Sequence, residues 1–127
     1  MDKLEKLRSA FGKMGIDGLL VTSQFNRRYV SNFTGTSGVV LIGTEQAKFI
    51  TDFRYIEQAS KQCLGFDIVK HTGTIPGEVA KQVKELGIKK LGFEQDHVTY
   101  TEYKAYEKEV GAELVPVSGL IEKIRLI

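Results

Sequence analysis

The segment Glu94-Gln95-Asp96-His97 sets two acids and an imidazole within four positions, and from such donors a metal site could be assembled. Adjacent side chains on a strand point to opposite faces, however. The segment therefore reads as a polar loop in which Asp96 or Thr99 caps a following helix, and no metal is expected in this chain. Gly35-Thr36-Ser37-Gly38 places hydroxyls between glycines, but it lacks the G-x-S-x-G spacing of a serine nucleophile turn, so no catalytic residue is assigned there. The single Cys63 is most simply a small core residue. The sequence has no G-x-G-x-x-G after its first apolar run, no G-x-x-x-x-G-K-[ST] and no H-E-x-x-H. A dinucleotide, nucleoside triphosphate or zincin-type chemistry is disfavoured accordingly.

Recognition is better represented than catalysis. From Asn26 to Gly38 the chain reads NRRYVSNFTGTSG. Arg27 and Arg28, cations of a type usually exposed, and the aromatic Tyr29 precede Phe33, Thr34, Gly35, Thr36, Ser37 and Gly38, of which only Phe33 could fill a core. A segment rich in glycine and hydroxyls brings backbone donors close to a partner or ligand. The bland alternative is a surface connection whose Gly35 and Gly38 merely permit tight turns.

The elements that must hold this loop are readable from periodicity. Leu4, Leu7, Phe11 and Met14 recur at helical spacing and predict one amphipathic helix ended by Gly15. Leu19-Leu20-Val21 predicts a buried strand, and Asn26 to Asn32 a short helix. Val39 to Ile42 and Ala47 to Ile50 flank Gly43-Thr44-Glu45-Gln46 and predict an antiparallel hairpin. Thr51 or Asp52 then caps a helix with Ile56, Ala59 and Cys63 inward, ended by Gly65. A strand over Phe66 to Val69 follows, then a helix from Ile75-Pro76 to Gly87, and a strand from Lys90 to Phe93. Thr99-Tyr100-Thr101-Glu102 fits a capping box. It opens a helix with Tyr103, Tyr106 and Val110 inward, closed by Gly111. Leu114 to Val117 is a strand whose Pro116 suits an edge. Leu120 to Ile127 is helical or extended, an apolar ending of the kind found at a domain boundary. The expected fold is α/β, a mixed sheet of about six strands flanked by helices.

At 127 residues one domain is expected. With 18 basic and 16 acidic residues interspersed and a net charge of +2, there is no case for nucleic acid. One cysteine, no signal-like segment and no long apolar run argue for a reducing, cytoplasmic setting and against a membrane partner.

Taken together, RRYVSNFTGTSG, FITDFRYIEQA, LGFEQDHVTYTEY and the closing LIEKIRLI resemble the N-terminal domain of the creatinase and prolidase family, nearest to its bacterial Xaa-Pro aminopeptidases and proline dipeptidases. The resemblance runs from Met1 to Ile127. It departs at Asn32 and Phe53, where family sequences often carry Gly.

The resemblance implies a ribonuclease H-like motif in this domain and a second, C-terminal "pita-bread" domain absent from this chain. There two Asp, one His and two Glu would bind two divalent ions, manganese, cobalt or zinc, that activate water for cleavage before proline. This chain alone would be inactive. Its implied partners are its own catalytic domain, a second copy in a homodimer and a proline-containing peptide. The implied gating or interface residues are Tyr29, Phe33, Thr34, Gly35, Thr36, Ser37, Gly38, Arg54 and Tyr55, with Phe33 an apolar wall and Arg54 a cation near the interface or a substrate carboxylate. Without that context Arg54 is as well read as a first-turn residue paired with Asp52, worth under about 1 kcal/mol if exposed. A free-standing α/β module binding a small ligand through the same loop is the alternative function.

Overall fold

Strands β1 (Gly18–Val21) and β2 (Val39–Gly43) are buried at every position, and their sequences are continuous apolar runs because helices cover both faces of the sheet. In the computed structural model, which describes residues 2–126, six strands lie in the order β4-β3-β2-β1-β5-β6. The others are β3 (Ala47–Thr51), β4 (Asp67–Lys70), β5 (Lys90–Glu94) and β6 (Glu113–Val117). β1 and β3 run antiparallel to β2, while β1–β5, β5–β6 and β3–β4 are parallel. This is the mixed, helix-flanked sheet that the periodicity predicts, hairpin included, and Pro116 does lie on an edge strand.

Alternation along each strand divides the core. Leu19, Val21, Val40, Ile42 and Phe49 face one side, where α1 (Lys3–Ser9), α2 (Phe11–Met14), α3 (Gln24–Ser31), α4 (Ile56–Gln62) and α7 (Leu120–Arg125) pack. Leu20, Val39, Leu41, Ile50 and Leu91 face the other, against α5 (Ile75–Leu86) and α6 (Tyr100–Glu109). A one-residue slip of β1 would exchange these two sets.

Several expectations need correction. The first helix is not continuous. Ala10 closes α1 and starts α2, its N–H bonding to Leu7 and Arg8 carbonyls. Asp52 does not cap α4 directly; it caps a 3-10 turn, Phe53–Tyr55, that leads into it. α6 runs into extended Val110, so Gly111 is not its left-handed cap. Ile127, the last residue of the expected terminal element, lies outside the described residues, whereas Leu120–Arg125 is helical.

Asn32 closes α3 at φ 68°, the one positive-φ non-glycine among the described residues. It therefore adopts the left-handed conformation that glycine favours, as asparagine does more readily than other side chains. Asn32→Ala is expected to cost about 1 kcal/mol, and Asn32→Gly to be neutral or stabilising by less than that. Urea unfolding midpoints of the two variants check the order, and an unchanged Asn32→Ala would remove the strain argument.

Candidate functional site

The loop after α3 is clamped from both ends. Arg27 is 5% exposed. Its Nη1 donates to the Gly38 carbonyl and its Nη2 to the Gly35 carbonyl, both at 2.8 Å, and its guanidinium carbon lies 5.7 Å from the centre of the Phe33 ring. The expectation that Arg27 is exposed is thus wrong, and the reason is local. Carbonyls of a loop only a few residues ahead turn back onto the guanidinium and replace its water. Arg28 is exposed, as its type suggests.

Phe33 is 1% exposed and packs on Phe49 at 4.5 Å between centroids and edge-on to Tyr55 at 5.7 Å. Within this chain its ring is a wall of the core, not of the surface. Gly35 and Gly38 are buried beside it. A Cβ at Gly35 would lie 2.3 Å from Phe33 Cζ, and one at Gly38 2.7 Å from Phe49 Cζ. The glycines are there because aromatic rings press on the loop backbone.

The groups that reach outward are Thr34 and Thr36, both exposed, with Ser37 half-buried. Thr36 Oγ1 and the Tyr55 hydroxyl are 2.7 Å apart. Thr34 N–H donates to Gln62 Oε1 at 3.0 Å, and its hydroxyl accepts from Gln58 and Gln62. Thr51 Oγ1 donates to the Ser37 carbonyl at 2.7 Å. Tyr29, half-buried, lies under the Lys3 ammonium at 4.4 Å, and its carbonyl accepts from the same group. The sequence-based set therefore comes together at one place, except that Tyr29 faces α1.

Arg54 makes a two-point ion pair with Asp52, Nε to Oδ1 at 2.8 Å and Nη2 to Oδ2 at 2.9 Å, and rests over the Tyr55 ring at 5.1 Å. The hydrogen bond from Arg54 holds the Asp52 carboxyl down at about 2. Phe53 beside it is 77% exposed.

A second constellation was legible in the sequence only in part, through Glu94 and His97. Glu94, 6% exposed at the end of β5, accepts from Thr22 N–H (2.8 Å) and Ser23 N–H (3.0 Å) on Oε1. Its Oε2 accepts from Asn26 Nδ2 (2.6 Å) and Ser23 Oγ (3.3 Å). Asn26 also donates to Glu122 at 3.1 Å and accepts from Arg125 at 2.7 Å. His97 Nε2 lies 2.8 Å from Glu122 Oε2. Glu94 and His97 meet because residues after Glu94 leave the strand and turn, His97 N–H bonding back to the Glu94 carbonyl. Asp96 goes elsewhere, accepting from Ser118, and Thr99 is the helix cap with its capping box closed by Glu102. In sequence the segment Glu94-Gln95-Asp96-His97 pointed here, but nothing linked it to Asn26, Glu122 or Arg125.

Donor atoms of Glu94, His97 and Glu122 lie within 4.8 Å of one another. That spacing suits a metal ion, but both Glu94 oxygens are occupied by hydrogen-bond donors, and an ion would have to displace them. The arrangement acts instead as a polar latch tying α7 to α3 and β5.

The latch responds to pH. The Glu122 hydrogen bond, with Glu94 and Asp96 nearby, raises the His97 pKa. Burial pushes Glu122 upward, but the bonds from His97 and Asn26 prevail and hold it below its usual value. A raised histidine contributes stability that is complete below its unfolded pKa near 6.5 and is lost as pH rises through the folded value. Because the pair is half-exposed its worth is under about 1 kcal/mol. Glu122→Gln is expected to lower the His97 pKa in an NMR titration; an unmoved midpoint would refute the pairing.

The Creatinase/Prolidase N-terminal domain model matches residues 3–127. The chain is 52% identical over 126 residues to the uncharacterized peptidase YqhT of Bacillus subtilis, covering 98% of itself and 36% of that protein. It is similar to an Xaa-Pro dipeptidase from Bacillus anthracis, at 63% identity and a TM-score of 0.97, over 98% of this chain and 35% of that one. It is also similar to the N-terminal domain of the cytoplasmic peptidase PepQ from Mycobacterium tuberculosis, at 31% identity and a TM-score of 0.87, over 96% and 97%. The chain thus spans about a third of the two Bacillus proteins.

Proposed function

The chain belongs to the Creatinase/Prolidase N-terminal domain family, and from that premise we propose that it is the non-catalytic domain of an Xaa-Pro peptidase, serving subunit pairing and substrate gating. The observation that carries this reading is its near-complete superposition on one third of the B. anthracis Xaa-Pro dipeptidase. Hydrolysis then belongs to a separate C-terminal domain, whose paired divalent ions would supply the activated water. Among the described residues the one candidate grouping, Glu94, His97 and Glu122, is engaged in hydrogen bonds and does not fit those ions.

The gating role falls to the exposed side of the clamped loop. Thr34, Thr36 and Tyr55 present hydroxyls on a backbone that Arg27 and Phe33 hold rigid, and Arg54 stands beside exposed Phe53. Phe53 is an apolar group suited to a second subunit, and Arg54 a cation suited to a carboxylate, once it gives up Asp52. A cytoplasmic setting agrees with one buried free thiol at Cys63 and with the description of the M. tuberculosis relative as cytoplasmic. No described helix is long and apolar enough to cross a membrane.

The test compares this chain and the intact parent with manganese and an Xaa-Pro dipeptide. Turnover by the parent and none by the chain is expected. In the parent, Arg54→Ala should raise KM severalfold at unchanged metal content; unaltered kinetics would remove Arg54 from gating, and turnover by the chain would overturn the whole reading.

A further inference from the structure

Arg27 is a buried cation without a counter-ion. Neither of its two hydrogen bonds is to a carboxylate, no ion pair among the described residues includes it, and its Nε–H is buried with no acceptor at all. A guanidinium has five N–H donors and two are used. Burial of an unpaired charge is costly, and the desolvation is enough to pull the Arg27 pKa down.

This cation lines a cleft of about 420 Å³ on the α5 and α6 side of the loop. The first turns of both helices, at Ile75-Pro76 and Thr101-Glu102, form its opposite wall. Their dipoles add positive potential there. Val39, Ile75, Pro76 and Ala105 make much of the lining apolar. Glu102 is the one acid of the lining, and its Oε1 is turned to its own capping box at Thr99 N–H.

We propose that this cleft binds a small carboxylate with an apolar body, the carboxylate against the Arg27 guanidinium and the body against Val39, Ile75, Pro76 and Ala105. The volume is that of an ordinary small-molecule site, and one fixed cation in an apolar surround is what orients such an acid. The site does not rest on the peptidase reading, since binding by this chain and hydrolysis by a longer protein are separate readouts.

The test is an NMR titration of the labelled chain with 3-methylbutanoate, its neutral amide, acetate and inorganic phosphate. The M. tuberculosis relative is a structure of such a domain by itself. Saturable shifts at the Gly38, Val39 and Thr101 amides are expected with 3-methylbutanoate, weaker binding with acetate, and none with the amide. Arg27→Met should weaken binding at least about tenfold through loss of a charge-assisted bond. Since that variant also loosens the loop, Ala105→Leu, which fills the cleft without touching Arg27, should abolish the shifts on its own. Glu102→Gln, which keeps the capping box, should tighten binding. Undiminished binding in Ala105→Leu, an equal response to the neutral amide, or displacement by phosphate in preference to acetate would each overturn the assignment.

Discussion

Glu94→Ala is expected to destabilise the fold by about 3–5 kcal/mol, the range for breaking a buried, hydrogen-bonded charge network, and to lower Tm by roughly 10–20 °C. The carboxylate gathers four donors from the five-residue stretch Thr22 to Asn26. Thr22 and Ser23 amides at the end of β1, the Ser23 hydroxyl, and the Asn26 amide of α3 all point at it. Removing it strands two backbone N–H groups in a nearly closed site and leaves Asn26 Nδ2 with only Glu122. Glu94→Gln separates charge from shape. Its carbonyl could still accept from Thr22 and Ser23, but its own NH2 would face Asn26 Nδ2, donor against donor, while Arg125 keeps Asn26 Oδ1 turned the other way. Most of the loss should therefore appear in Glu94→Gln too, with the α7 resonances shifting first. A Tm within 3 °C or so of the parent in Glu94→Gln would mean that the network is satisfied by water and is not structural.

That network also explains what sequence could and could not reveal. Leu19 to Val21 and Val39 to Ile42 announce themselves because helices cover both faces of those strands, so nearly every residue is apolar. Thr99 and Glu102 announce a helix start because the capping box is a local contact. Glu94 meets partners 68 to 72 positions away in sequence, and Arg125 meets Asn26 across 99. No periodicity records such meetings; only the sheet order, which sets the end of β5 beside the end of β1, creates them. Arg27 was misleading for a related reason. Its residue type predicts solvent, and its burial depends on where two loop carbonyls fold. The break between α1 and α2 left no trace either, since Leu4, Leu7, Phe11 and Met14 keep their spacing across it.

The loop from Phe33 to Gly38 offers the second large effect. Gly35→Ala is expected to cost roughly 3 kcal/mol, the upper end for overpacking a core. The added Cβ would sit 2.3 Å from Phe33 Cζ and 3.1 Å from Tyr55 Cδ1, and the Phe33 ring is hemmed in by Phe49 and Arg27. Gly35 has no positive φ to relieve, so the penalty is steric and should be removable by shortening its opponent. Phe33→Leu alone is expected to cost about 1–2 kcal/mol through lost packing. In the double variant the clash disappears, because leucine has no atom at the Cζ position, and the combined cost should fall below the sum of the singles by at least about 1 kcal/mol. The same cycle bears on function. Arg27 bonds to the Gly35 carbonyl, so a displaced Gly35 also releases Thr34 and Thr36 from Gln62 and Tyr55, and amide exchange across the loop should quicken in Gly35→Ala and recover in the double variant. Strict additivity of the two substitutions would show that the ring and the glycine do not press on each other, and the rigid presentation of the loop would need another cause.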